Sequence, residues 1–292
     1  MKLLDWIPLE KLDWQRLSTN PSPGAIELLE KNIVKIDWYC LTKNPSAINL
    51  LKKNPDKICW EHLSKHPGAI ELLEQNPNKI DWDFLSTNTA AIHLFKKNPY
   101  KIDWRWLSKN PGAIELLEQN PNKIDWPWLS MNPNPDAIKL LEQNPDKINW
   151  YWLSKNPSAI HLLEKNPDKI NWVHLTENPV AIHLLEKNPD KINWVYLSEN
   201  PGAIHLLEKN PDKINWKLLS GNPNAIHLLE RNQDKIDWMS LSKNPSIFVE
   251  DFQEKSKERV EILREELMEK TWHPERFRSW CLEHDDEFHL EN

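Results

Sequence analysis

Apolar residues along most of the chain fall into two alternating groups. The first, as in Ala181-Ile182-His183-Leu184-Leu185-Glu186, puts its apolar side chains on one face at helical spacing over about two turns. The second is a shorter run, as in Ile192-Asn193-Trp194-Val195-Tyr196-Leu197. Asn-Pro pairs separate the groups. Proline pushes the residue before it into the extended region, where an N-cap residue sits, and proline itself suits the first helical position. Asn178-Pro179 is therefore predicted to open a helix, called helix A, which the next pair, Asn188-Pro189, stops. That second pair starts a turn, Pro189-Asp-Lys-Ile192, after which Asn193 caps a second short helix, helix B, beginning at Trp194. Neither helix is long enough to stand alone in water, so stacking is compulsory.

This pattern repeats. Trp recurs at 14, 38, 60, 82, 104, 126, 150, 172, 194, 216 and 238, a period of 22 residues broken only by two insertions of two residues. Both insertions fall in the same junction, Asn20-Pro-Ser-Pro-Gly-Ala-Ile26 and Asn132-Pro-Asn-Pro-Asp-Ala-Ile138, which must be a loop. Ten units run from about Asn20 to Lys243, departing from the pattern at Ile33-Val34, Thr89 and Gln233. In the unit at Asn178 the inward residues are Ala181, Ile182, Leu184, Leu185, Ile192, Trp194 and Leu197, and repetition makes them one continuous core. The rival at this period is a leucine-rich repeat with a strand through Ile192-x-x-Val195-x-Leu197. The position of Val195 is elsewhere Glu61, Asp83, Arg105, Pro127 and Lys217, which an inward strand position would not accept. The reading is an all-α protein, an α-solenoid of ten 22-residue repeats with two short helices each.

Alternating short helices with Asn-Pro starts resemble the leucine-rich repeat variant, an α-solenoid that pairs an α-helix with a 3₁₀-helix. Units such as Asn-Pro-Asp-Lys-Ile-Asn-Trp are similar to those of tandem 22-residue repeat proteins of giant DNA viruses of amoebae, over about four fifths of the chain. The segment Lys270-Thr-Trp-His-Pro-Glu-Arg-Phe-Arg-Ser-Trp-Cys281 is similar to a C-terminal signature of large viral families. The resemblance implies architecture and a viral origin, and with it the cytoplasm of an infected host cell. It carries over no catalytic residue.

Solenoid ends need polar-faced caps. Residues 1–19 read as an N-terminal cap, an incomplete unit in which Trp6 and Trp14 cover the first layer of the solenoid, 20–244. Residues 245–282 read as a C-terminal helical cap, with Phe248, Phe252, Val260, Leu263 and Leu267 on one side to seal the last layer and a short helix after Pro274 carrying Phe277, Trp280 and Cys281. An acidic tail, 283–292, follows.

Charge refines this picture. From Ile247 onward there are 14 acidic and 7 basic residues, so the net charge of −7 belongs to the C-terminal segment and residues 1–246 balance. A neutral repeat region has no overall field to attract polyanions, which disfavours general nucleic-acid binding while leaving room for a local stripe. The start, MKLLDWIPLEKLDW, lacks a signal-peptide core and no apolar run suits a membrane span, so a soluble protein is expected. The scattered Cys40, Cys59 and Cys281 suit a reducing, intracellular compartment.

Candidate chemistry is sparse. His93, His161, His183, His205 and His227 share one slot of helix A, but neighbouring repeats stand about 8–10 Å apart, too far for two imidazoles to share a metal. They are expected as surface histidines, some beside the Glu three residues on. No catalytic motif, metal spacing or cofactor fingerprint is present, so no enzyme, cofactor or metal is expected. Lysines 35, 57, 79, 101, 123, 147, 169, 191, 213 and 235 precede each turn Ile, with a second row at Lys165, Lys187, Lys209 and Arg231 beside Glu164, Glu186, Glu208 and Glu230. A balanced ion-pair surface is the preferred reading of these rows. The repeated Trp is expected to be core.

Two residues after that Trp the slot varies: Phe84, Trp106, Trp128, Trp152, His174 and Tyr196 in the middle units, with Arg16 and Cys40 before and Leu218 and Ser240 after. An offset of about 200° turns this slot away from the core, predicting an aromatic stripe that is either exposed or a second buried layer. Exposed aromatic stripes mark partner binding. The expected function is a non-enzymatic scaffold for protein–protein interaction through Phe84, Trp106, Trp128, Trp152, His174 and Tyr196. The alternatives are a nucleic-acid-binding solenoid using the Lys ladder and a structural component of a particle or assembly.

Overall fold

The computed structural model of the protein describes residues 1–271. The fullest repeats fold as four short pieces. In the unit opened by Asn200 these are a 3₁₀ turn at Pro201–Ala203, helix A at Ile204–Lys209, a second 3₁₀ turn at Pro211–Lys213 and helix B at Trp216–Ser220. The architecture is the all-α tandem-repeat solenoid, and the segment on which the strand alternative rested, Trp194–Leu197, is a turn of α-helix.

Helix A was expected to open at its proline. It does so only in the two units with inserted residues, at Pro23–Glu30 and Pro135–Gln143. Elsewhere Pro-x-Ala is a 3₁₀ turn or a bend, and the α-helix starts at the following Ile. In every unit the stretch follows a buried ladder residue, and the inserted residues supply a second proline beyond it on which helix A opens. Asn132, fully buried, donates from Nδ2 to the carbonyls of Ser108 and Asn110, the equivalent stretch one repeat back, at 3.0 and 3.1 Å, while its Oδ1 accepts the Asn134 N–H. The same bifurcated reach joins Asn44 to Ser18 and Asn20, Asn88 to Ser64 and His66, and Asn178 to Ser154 and Asn156. These residues are an interior ladder as well as caps, and they fix the chain's entry angle before helix A begins. The second asparagine of each unit caps no start at all. Asn144 Nδ2 turns back to the Leu140 carbonyl at 2.9 Å and closes the C-terminus of helix A, as Asn166 does on Leu162.

A hydroxyl forms a third inter-unit link. Ser108 Oγ donates to the Trp104 carbonyl inside its own helix B and accepts the N–H of Asp125 from the next unit. Helix B itself is capped as the sequence predicts, with Asn193 Oδ1 accepting the Tyr196 N–H. Between the ladders, the Leu of helix B, a Leu or Phe95 of helix A and the Ala before it are fully buried in every complete unit. The repeated Trp packs on this core but is only half-buried, which corrects its assignment to the interior. In Trp14, Trp82, Trp126, Trp194 and Trp216 the outer face is covered by the turn Lys of the following unit, with Nζ 4.4–4.7 Å from the ring centre.

The body of residues 3–248 has no free ends to cap. Asp13 N–H donates to Ser242 Oγ at 2.8 Å, and Asn20 Nδ2 donates to the carbonyls of Ser242 and Asn244 at 3.0 and 2.9 Å. Lys11 lies over Trp238 at 4.6 Å. Each of these is the bond that joins other neighbouring units, so the first B helix packs on the last and the solenoid closes into a ring of eleven. The eleventh unit is composite. Its opening half, Asn244 and the turn Pro245–Ile247, comes from one end of the body; its turn Leu9–Lys11 and helix B, Trp14–Ser18, come from the other. In place of helix A it has two short strands, Lys2–Leu3 and Phe248–Val249, that form a two-stranded sheet. Phe248 is buried against Gly24, where a Cβ would lie 2.6–2.8 Å from its atoms.

Two separate caps were expected; within the body 3–248 the first and last layers cover each other. Residues 1–19 do cover a core layer, but they are half of a full unit. The last layer is covered by the first B helix. Of the residues expected to seal it, Val260, Leu263 and Leu267 are 64, 49 and 64 % exposed on the helix Phe252–Thr271. The predicted short helix after Pro274, with Phe277, Trp280 and Cys281, and the tail 283–292 lie outside the described residues. Among the described residues no helix is long and apolar enough to cross a membrane.

Candidate binding surface on the inner wall

Closure gives the ring an inside, and three observations place helix B there. Lys243 Nζ reaches Glu199 Oε1 at 3.4 Å across an intervening unit, which is possible only where side chains converge on a concave face. Neighbouring B helices approach one another more closely than neighbouring A helices do. The A helices are instead bridged by long side chains: His93, His161, His183, His205 and His227 each bond through Nε2 to Glu74, Glu142, Glu164, Glu186 and Glu208 of the preceding unit at 2.8–3.0 Å. The histidine partner is thus not the Glu three residues on but the equivalent Glu one unit back. Among the described residues no group of three or more His, Cys, Asp or Glu could hold a metal.

Eleven units sharing a full turn rotate by about 33° each. With helices about 9 Å apart, their axes lie on a circle of about 16 Å radius, and side chains leave an opening about 20 Å across.

The aromatic stripe lies on this wall. Phe84, Trp106, Trp128, Trp152 and His174 are half-buried and Tyr196 is 42 % exposed, so the slot is neither a free surface nor a second core layer. The structure brings four of these residues together in two pairs, and leaves Phe84 and Tyr196 without a ring contact to another of the six. Trp106 and Trp128 have ring centres 4.6 Å apart, and Trp152 and His174 5.7 Å. The convergence of a concave wall explains such distances between units whose helices are almost twice as far apart. Three members, Tyr39, His62 and Tyr151, went unnoticed in the sequence. Tyr151, one residue after its Trp, meets His174 edge-on at 4.0 Å. His62 occupies the same slot as Phe84 in the unit before it, between Tyr39 at 4.7 Å and Phe84 at 5.6 Å. Its register two residues after Trp60 was the available signal. His62 is buried with neither ring nitrogen hydrogen-bonded, and burial, with Lys43 and Lys65 nearby, pushes its pKa below the ordinary value near 6.5. Burial and the Asp37 carboxylate push the Cys40 thiol up, the opposite of what a nucleophile needs.

Cations flank the row. Lys43 sits over Tyr39 at 4.0 Å, Lys65 over Phe84 at 4.2 Å, and Arg105 and Lys109 over Trp128 at 4.9 and 5.7 Å. Burial and Lys155 push the Lys109 pKa down. Counting the three inner-wall positions of every helix B, those one, two and five residues after its Trp, gives eight basic residues: Arg16, Lys43, Lys65, Arg105, Lys109, Lys155, Lys217 and Lys243. The acidic ones are four: Glu61, Asp83, Glu177 and Glu199. The repeat region is neutral in sum but its inner wall is basic. The ladder of turn lysines belongs elsewhere, laid over the repeated Trp rings or beside the preceding Asp, as Lys57, Lys169 and Lys191 are.

No family model, curated protein or solved structure matches this chain.

Proposed function

We propose that the ring is a non-enzymatic scaffold that holds a partner protein through a segment lying against the aromatic row of its inner wall. The observation that carries this reading is the position of the row. Nine ring-bearing side chains, Tyr39, His62, Phe84, Trp106, Trp128, Tyr151, Trp152, His174 and Tyr196, face an opening wide enough for an extended chain or one α-helix of about 10–12 Å diameter, and too narrow for a folded domain. Aromatic side chains concentrate binding energy where they are partly shielded from water, and these are. The 22-residue unit supports a viral origin and action in the cytoplasm of an infected cell.

The test replaces Trp106, Trp128 and Trp152 together by Ser and compares affinity capture from cells that naturally contain the protein. Loss of the captured partner, with the helical circular dichroism signal and ring dimensions retained, is the expected outcome. Undiminished capture by a folded variant would overturn the reading.

A further inference from the structure

Ion pairs occur on both surfaces, Lys155–Glu177 and Lys243–Glu199 among them on the inner wall, but four inner-wall cations stand apart from them. On the outer side Lys52 meets Glu71, Lys53 meets Glu30, Lys96 meets Glu115 and Lys139 meets Asp136, all within 4.0 Å. On the inner wall Lys43, Lys65, Arg105 and Lys109 lie on aromatic faces, and among the described residues none has a carboxylate within that distance. A cation over a ring is stabilised by the ring's quadrupole but stays positive and part-desolvated. Burial and the neighbouring Lys155 make that cost visible at Lys109. These four groups lie along one arc, interleaved with the rings.

We propose that the segment held in the ring is an acidic polypeptide, whose carboxylates pair with Lys43, Lys65, Arg105 and Lys109 while its apolar side chains rest on the ring edges between them. The proposal rests on the inner wall being the binding surface and adds the chemistry of what binds. Charge complementarity selects an acidic partner, since the wall has twice as many basic as acidic groups. The disposition of the rings selects a polypeptide over a single-stranded nucleic acid. Nucleobases need open aromatic faces to stack on. Here Trp106 and Trp128 pack on each other at 4.6 Å with their planes tilted by 59°, Arg105 and Lys109 lie over Trp128, and Lys65 lies over Phe84. A base stacking on Trp128 or Phe84 would have to displace a ring or a cation. A carboxylate has only to approach each cation from its open side, and in doing so returns the counter-charge that the wall lacks.

The experiment uses the full chain and three labelled probes of equal length: a peptide of repeated Glu-Glu-Phe, the same peptide with Gln for Glu, and oligothymidylate, each titrated by fluorescence anisotropy at physiological salt. Two variants accompany the wild type. One changes Lys43, Lys65 and Lys109 to Gln on the inner wall; the control changes Lys52, Lys96 and Lys139 to Gln outside. The expected result is that the acidic peptide binds at least tenfold more tightly than the neutral one, that the inner variant removes this advantage, and that the outer variant keeps it. Equal binding of acidic and neutral peptides, or an acidic advantage that survives the inner substitutions, overturns the acidic assignment. If such peptide binding is still lost with the triple Trp→Ser variant, the inner-wall reading stands without it. Tighter binding of oligothymidylate overturns both, and so does a failure of every probe to bind while the stripe variant captures its partner undiminished.

Discussion

One asparagine per unit holds this ring together. Its amide spends two N–H bonds on the previous unit and its oxygen on its own turn, so every polar atom of a fully buried group is used. Asn132→Ala would orphan the Ser108 carbonyl and the Asn134 N–H and take one of two bonds from the Asn110 carbonyl, at a cost of about 3 kcal/mol, whereas Asn144→Ala, which loses a single bond to Leu140 at a half-buried helix end, costs about 1 kcal/mol. Urea unfolding of the two variants checks the order, and a larger loss at Asn144 would contradict the ladder's role. The unit opened by His66 shows the device with a part missing. Its Nδ1 accepts the Gly68 N–H and its Nε2 reaches only the Asn44 carbonyl, at 3.2 Å. His66→Asn restores the second bond and is expected to raise the unfolding midpoint. His62 gives the opposite case, a buried imidazole with no hydrogen bond. Its folded pKa is lowered, so the unfolded chain takes up the proton first. Stability is then full above the ordinary His range and falls as pH drops below about 6.5. The groups acting on it are Lys43 and Lys65, which reinforce the shift, and Glu61, which opposes it. His62→Phe keeps the edge contacts to Tyr39 and Phe84 and should flatten the decline in melting temperature between pH 7 and 5 relative to wild type. An unchanged slope would show that His62 is not its source.

At the scale of the helices, what could be read from the chain was whatever repeats within one unit. Trp194 and Leu197 mark helix B, and Asn193 before them marks its cap, because these interactions lie within four residues. Asn178 and Asn188 look alike in the sequence, each followed by Pro, yet one reaches into the preceding unit and the other turns back on its own helix. Nothing local separates them; the difference arises from where the neighbouring unit places its carbonyls. The aromatic slot was legible as outward-facing, but its degree of exposure depends on curvature. On a straight stack the rings at 106 and 128 would stand as far apart as their helices, and on this concave wall they touch. The histidine slot was legible as surface, while its partner lay one unit back rather than one turn on.

At the scale of the whole body, the closure was present in the sequence as two fragments. Lys11-Leu12-Asp13-Trp14 matches the closing half of a unit and Asn244-Pro245-Ser246-Ile247 the opening half, and together they make one. The period alone could not show that they meet, because a small rise per unit gives an open superhelix and no rise gives a ring. Closure means that each unit, the first and last included, has two neighbours, and this can be tested at the seam. Gly24 sits where a Cβ would fall 2.6 Å from the Phe248 ring, much closer than real Cβ atoms approach. Gly24→Ala should therefore wedge the seam, lowering the melting temperature and loosening amide hydrogen exchange on both sides of it, near Asn20 and near Asn244, while the opposite units around Trp126 keep their protection. Phe248→Leu alone should be milder, and combining it with Gly24→Ala should recover part of the loss, because the smaller side chain makes room for the added methyl. Partial recovery requires that residues from the two ends of the body touch. An open solenoid would show two additive losses, with exchange near Asn244 indifferent to what stands at 24.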